Sequence, residues 1–117
     1  THPLTKGLEN WTTINEELYN NIQVLGGKPL ASGRQLQMPR VKKGEKADPN
    51  AKPAEANAVV AWTHEYGPKK TRVFSTTIGH NNDTVSDARY LSLITRAILW
   101  TTGKLAEDGT PAAGYTK

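Results

Sequence analysis

Apolar and polar positions alternate most regularly over residues 57–80 (NAVVAWTHEYGPKKTRVFSTTIGH), and the chain is organised around that stretch. Val60, Trp62 and His64 fall on one face of an extended segment and Val59, Ala61 and Thr63 on the other, because successive strand side chains point in opposite directions. Both faces are mostly apolar, which is the pattern of an interior strand covered on each side, as in an α/β sandwich. Gly67-Pro68-Lys69-Lys70 breaks the run, and residues 72–78 (RVFSTTI) are again β-branched and aromatic. A hairpin is therefore expected, delivering His80 just past the end of its second strand, where Gly79 permits a sharp turn.

The other elements follow from the same patterning. Asn81-Asn82-Asp83-Thr84-Val85-Ser86 has capping character, and residues 87–102 form the one strong helix signal. In that helix Leu91, Ile94, Ile98 and Leu99 make an apolar stripe that Tyr90, Leu93, Ala97 and Trp100 widen, with Arg89 and Arg96 on a more exposed side. Gly103 is a natural residue to follow its end, with Lys104 favouring the carbonyl terminus. Residues 11–14 (WTTI) and 22–25 (IQVL) read as short strands, and residues 15–21 as a polar segment in which Glu16 and Glu17 open a helical turn as solvated charges. From Lys28 to Asn57 prolines and lysines dominate; residues 42–57 read as a solvated loop, because so little apolar surface cannot offset the entropy of ordering. Residues 105–117 lack periodicity and read as an irregular tail.

Composition narrows the choices. At 117 residues the chain is at most one domain, and a hydrophobic share of 36% is low for a free-standing α/β domain. Mean hydropathy is −0.62. The chain opens at Thr1, directly in a His-Pro turn, so a processed piece of a larger protein is expected. A formal net charge of +4 is too small to imply a nucleic-acid partner. The basic cluster from Arg40 to Lys46 also lacks interleaved aromatics for base stacking. With no cysteine there is no disulfide and no thiol nucleophile. No run reaches the roughly 18 apolar residues of a membrane span, and Arg96 interrupts the most hydrophobic helix.

The histidines are His2, His64 and His80, and their separation shows no metal-ligand spacing; neither a metal nor a cofactor is expected. His64 lies within a strand and is expected to pack. His80 stands where open α/β sheets place their ligand crevices, followed by Asn81, Asn82 and Asp83, which can orient an imidazole or hold hydroxyl groups. Its competing reading is a simple turn histidine. No Gly-x-Ser-x-Gly elbow, phosphate loop or dinucleotide fingerprint occurs. Acid–base work by His80 with Glu17 is the remaining chemistry, since an imidazole titrates near neutrality and a carboxylate can hold its tautomer.

Taken together, His2-Pro3-Leu4-Thr5-Lys6-Gly7-Leu8, Glu16-Glu17-Leu18-Tyr19, Ala61-Trp62, Glu65-Tyr66-Gly67, Arg72-Val73-Phe74, Gly79-His80 and Ile98-Leu99-Trp100 before Gly103-Lys104 resemble the C-terminal half of a ThuA-like domain, a family named for trehalose utilisation. The resemblance covers residues 2–104. It implies an α/β, flavodoxin-like three-layer sandwich related to class I glutamine amidotransferases, of which residues 1–104 are only the C-terminal part. In amidotransferase relatives a cysteine works with a histidine and a glutamate, and Gly79-His80 matches the position of that histidine. ThuA-like proteins generally lack the thiol, so glutaminase chemistry is not carried over. The implied role is binding or processing of a sugar or modified glycoside, with His80 and Glu17 catalytic, and Tyr19, Asn81 and His2 contacting substrate. The implied partners beyond the sugar are the missing N-terminal part or a second copy. The ending from Glu107 to Tyr115 resembles secreted or envelope-associated bacterial members. A reading of a different class is a non-catalytic interaction subunit that uses the same fold.

Overall fold

The computed structural model describes residues 2–116. Thr1, on which the expectation of a processed piece rests, and Lys117 lie outside the described residues. The chain is a small α/β protein: a 3-10 turn (Pro3–Thr5), strands β1 (Lys28–Gln37), β2 (Ala54–Tyr66) and β3 (Thr71–Thr76), a short helix α1 (Asn82–Ser86) and a long helix α2 (Ala88–Thr101). The strands form one antiparallel sheet in the order β1-β2-β3, so β2 is the central strand.

The expected hairpin is β2 and β3, closed by a turn in which the Lys70 N–H donates to the Gly67 carbonyl at 3.0 Å. Both faces of β2 are covered at its centre, from Val60 to Thr63, whereas residues 54, 55, 57, 65 and 66 are exposed. On one side Ala61 and Thr63 are buried. They pair with Thr76 and Phe74, and Phe74 packs with Leu30 against a core of Leu4, Ala97, Leu99, Trp100 and Leu105. On the other side Leu18 and Val60 close over Gly33, where an added Cβ would lie 3.0 and 2.9 Å from them, and Val24 and Trp62 close over Gly27. The covering layer there is irregular chain rather than helix.

Several expectations are corrected. Residues 28–37, for which the sequence predicts no element, form β1. Their own propensity is poor, but Pro29 sits at the strand's start, where its missing N–H is tolerated, and the ladder to β2 supplies what local sequence does not. The loop accordingly spans residues 38–53, and residues 54–57 belong to β2. Residues 11–14 and 22–25 make no strand, because Val24, like Leu18, meets the sheet through its side chain rather than through a backbone ladder. In α2 the buried face is Leu93, Ala97, Leu99 and Trp100, whereas Leu91 and Ile98 are 48% and 59% exposed. Arg96 is not a free surface charge: it donates to the Lys6 carbonyl at 2.7 Å and so ties the 3-10 turn to α2. The C-terminal segment is not wholly a tail, since Leu105 is buried and bridges to Pro111.

The ends of α2 obey their local chemistry. Asp87 caps the start by accepting the Arg89 N–H at 2.8 Å, and hydrogen bonding from Arg89 holds its carboxyl at about 2. At the other end Gly103, at φ 71°, donates to Trp100 and Lys104 donates to Leu99. This is a Schellman closure. Arg72 reaches the Trp100 carbonyl at 2.9 Å, joining β3 to that terminus. The whole is elongated: its radius of gyration is 17.4 Å, against about 13 Å for a compact chain of this length.

Gly79 connects fold to site. Its φ is +120°, and a Cβ added there would lie 2.8 Å from the Tyr90 hydroxyl and 3.2 Å from Val85. Gly79→Ala is expected to lower stability by about 1–3 kcal/mol, read from the midpoint of denaturant unfolding. An unchanged midpoint would show that this turn relaxes freely.

Candidate functional site

The polar segment after Trp11 and the turn after β3 are remote in sequence and meet in space. The Glu16 carboxylate accepts the backbone N–H of His80 through Oε2 and that of Asn81 through Oε1, each at 3.1 Å. The Asn81 side-chain amide donates to the Asn15 carbonyl at 3.1 Å. With the two turns joined in this way, His80 Nδ1 lies 3.3 Å from Glu17 Oε2. The same oxygen accepts the Tyr19 hydroxyl at 2.9 Å. Four of the residues expected from sequence, Glu17, Tyr19, His80 and Asn81, therefore gather in one place.

His2 is elsewhere. Its Nδ1 accepts the Leu4 N–H at 3.2 Å, and its ring meets Trp100 edge-on at 5.0 Å. Burial pushes its imidazole below the ordinary value, with the charge on Lys28 adding to the effect. His64 packs as expected, with Nδ1–H donating to the Gly26 carbonyl at 3.0 Å. Among the described residues no three His, Asp or Glu side chains gather in a way that could hold a metal.

Electrostatics at the cluster are those of a surface. His80 and Glu17 side chains are 61% and 53% exposed, so their pairing is screened and worth at most about 1 kcal/mol when the imidazole is charged. Tyr19 feels Glu17 directly: the hydrogen bond to that carboxylate, followed by its negative charge, raises the phenol above its usual value. For Glu16, partial burial pushes the carboxyl up but is outweighed. The Thr84 hydroxyl and the N–H groups of Asn81 and His80 hold it below the ordinary carboxylate value, although the buried Thr84 hydroxyl makes no hydrogen bond of full geometry.

Beside the cluster runs an open groove of ≈ 490 Å³, lined by Glu17, Tyr19, Asn21, Gln35, Gln37 and Arg40 among others. The glutamines come from β1. Gln35 donates to the Glu16 carbonyl at 2.7 Å, and Gln37 donates to Gln35 at 2.9 Å. With no strand expected over residues 28–37, these two side chains had no place on a face. A strand places Gly33, Gln35 and Gln37 on one face, so recognising β1 would have revealed them. Glu16 was also missed, as its neighbours mark it only as a solvated charge.

The arrangement can hold a proton acceptor in register. A carboxylate at Nδ1 favours the tautomer with its proton there and leaves Nε2 able to accept one. A groove of amides, carboxylates and one phenol offers donors and acceptors at close spacing with an aromatic surface.

A family model described as ThuA, trehalose utilisation, matches residues 1–101. No significant match to a curated protein or to a solved structure was found.

Removing the charge beside Tyr19 tests the cluster. Glu17→Gln should bring the phenol down toward 10.0, since no anion then opposes phenolate formation. Spectrophotometric titration, with Tyr19→Phe subtracted, reads this directly; the same titration curve in both proteins would separate Tyr19 from Glu17.

Proposed function

We propose, from the premise that the chain belongs to the ThuA family of trehalose utilisation, that it binds and processes a sugar or glycoside where Glu17, Tyr19 and His80 meet. The observation that carries this reading is the single Glu17 oxygen shared by the Tyr19 hydroxyl and His80 Nδ1. In it His80 contacts a sugar hydroxyl through Nε2 and accepts its proton, while Glu17 orients the ring and stabilises the imidazolium that results. Tyr19 forms a wall for a sugar ring. Asn81, whose amide nitrogen is engaged by Asn15, would contact a hydroxyl through its amide oxygen. The groove beside Glu17 and Tyr19 lies within the usual size range of small-molecule sites, about 300–1,000 Å³. His2 has no part in this reading, because it is committed to capping Leu4 and packing on Trp100.

The same reading takes residues 1–104 as the C-terminal part of a larger flavodoxin-like domain. Its support is the accessible surface of 8788 Å², where a compact monomer of 12.8 kDa exposes about 6,300 Å². The excess leaves room for further chain or a second copy. It equally favours the second reading, an interaction subunit without catalysis, for which Leu25, Leu36, Met38, Leu91 and Ile98 are among the exposed apolar residues.

Calorimetric titration with trehalose and with keto-glycosides distinguishes the two. Wild-type protein should bind one of them, and His80→Ala should weaken that binding by roughly tenfold, about 1.4 kcal/mol. Equal affinity in the variant would remove His80 from the role. Absence of sugar binding, together with a partner that copurifies stoichiometrically, would favour the interaction reading.

A further inference from the structure

We infer that Glu16 is the positioning residue of this site: its carboxylate bridges the backbone N–H groups of His80 and Asn81 and so fixes the turn that presents the His80 ring to Glu17. The contact spans 64 and 65 residues of sequence, so no local propensity can replace it. β3 ends at Thr76 and α1 begins at Asn82. Beyond Ile78, which the Thr76 hydroxyl holds, Gly79 and His80 lie in no regular element. Asn81 stands at the N-cap of α1 yet makes no side-chain cap bond. Glu16 does not replace that cap bond; it accepts the N–H groups of His80 and of Asn81 itself, just ahead of the helix, and Asn81 returns a bond to the Asn15 carbonyl.

A carboxylate is needed at this position. The two N–H donors point at two different oxygens of one side chain. An amide in place of the acid offers a single oxygen and turns its own NH2 toward the other N–H, where donor faces donor. An aspartate keeps both oxygens on a side chain one methylene shorter. The charged groups around the clamp are Glu17 and His80 beside it, Asp83 in α1, and Asp87 with its partner Arg89 at the start of α2. Glu16 is the one that binds the turn's backbone, and its folded value lies below the ordinary 4.5. The clamp is therefore complete above that ordinary value and is lost as pH falls through the depressed folded one.

The effect on ligand rests on the sugar-site reading above, whereas the clamp itself does not, and the experiment keeps them apart. Amide hydrogen exchange by NMR is measured on wild type, Glu16→Gln and Glu16→Asp, with β2 amides as the internal reference, and trehalose affinity is measured on the same samples. In Glu16→Gln the His80 and Asn81 amides should lose protection by roughly tenfold or more while β2 is unchanged. Glu16→Asp should recover part of that protection and part of the affinity. In wild type the same two amides should lose protection as the pH falls through the depressed folded value of Glu16, below the ordinary 4.5, and in Glu16→Gln they should show no such step. This arm needs only the wild-type fold should the glutamine variant fail to fold. Unchanged protection at His80 and Asn81 in Glu16→Gln, or the absence of an acid step in wild type, overturns the inference. Lost protection in Glu16→Gln combined with unaltered sugar affinity in His80→Ala upholds the clamp and overturns the sugar site.

Discussion

The structure depends on β2 being satisfied on four sides. Its backbone is paired to β1 and to β3, and its side chains are covered by α2 with the 3-10 turn on one face and by residues 15–27 on the other. A strand whose centre is covered on both faces needs two covering layers, and this chain makes only one of them from a helix. The other layer is chain without regular hydrogen bonding, held by a few apolar anchors such as Leu18 and Val24. That irregular layer also carries Glu16, Glu17 and Tyr19, so the site is built on cover rather than on scaffold.

This division explains the character of the site. His80 follows the β2–β3 hairpin and Gly79, which Tyr90 and Val85 crowd, whereas its acidic partners sit on chain without regular secondary structure. Because the groups are exposed, their mutual attraction is weak, and position must come from hydrogen bonds to backbone rather than from ion pairing. The amide groove shares the same floor: Gln35 holds the Glu16 carbonyl, so β1 and the acidic segment support one another.

How much was legible follows from how local each signal is. The β2–β3 hairpin, the Gly79 turn and the ends of α2 are written in adjacent residues, and all were readable. The meeting of Glu17, Tyr19 and His80 was anticipated through family likeness, since spacing alone says nothing about contacts between residues 17 and 80. β1 was missed because Lys-Pro-Leu-Ala-Ser-Gly has poor strand propensity and forms only where β2 supplies a ladder. The apolar face of α2 was drawn too wide for a similar reason: Leu93, Ala97, Leu99 and Trp100 belong to it and are buried, but Leu91 and Ile98 stay exposed because the sheet and the 3-10 turn cover only one side of the helix. Arg96 was mistaken for solvent-facing because its partners are carbonyls of residues 3 and 6, which no charge pattern reveals.

The long sequence separation between Glu16 and the His80 turn also bears on the order of assembly. The hairpin and α2 can form from nearby contacts, but closing the chain between residues 16 and 80 carries an entropic cost that is recovered only once the sheet already exists. Contacts of this separation are expected to form after the sheet and to open before it, so that this seam can come apart while the hydrocarbon interior stays intact. A ligand seated across it would act as a splint, joining the first third of the polypeptide to the last and slowing the breathing of that seam.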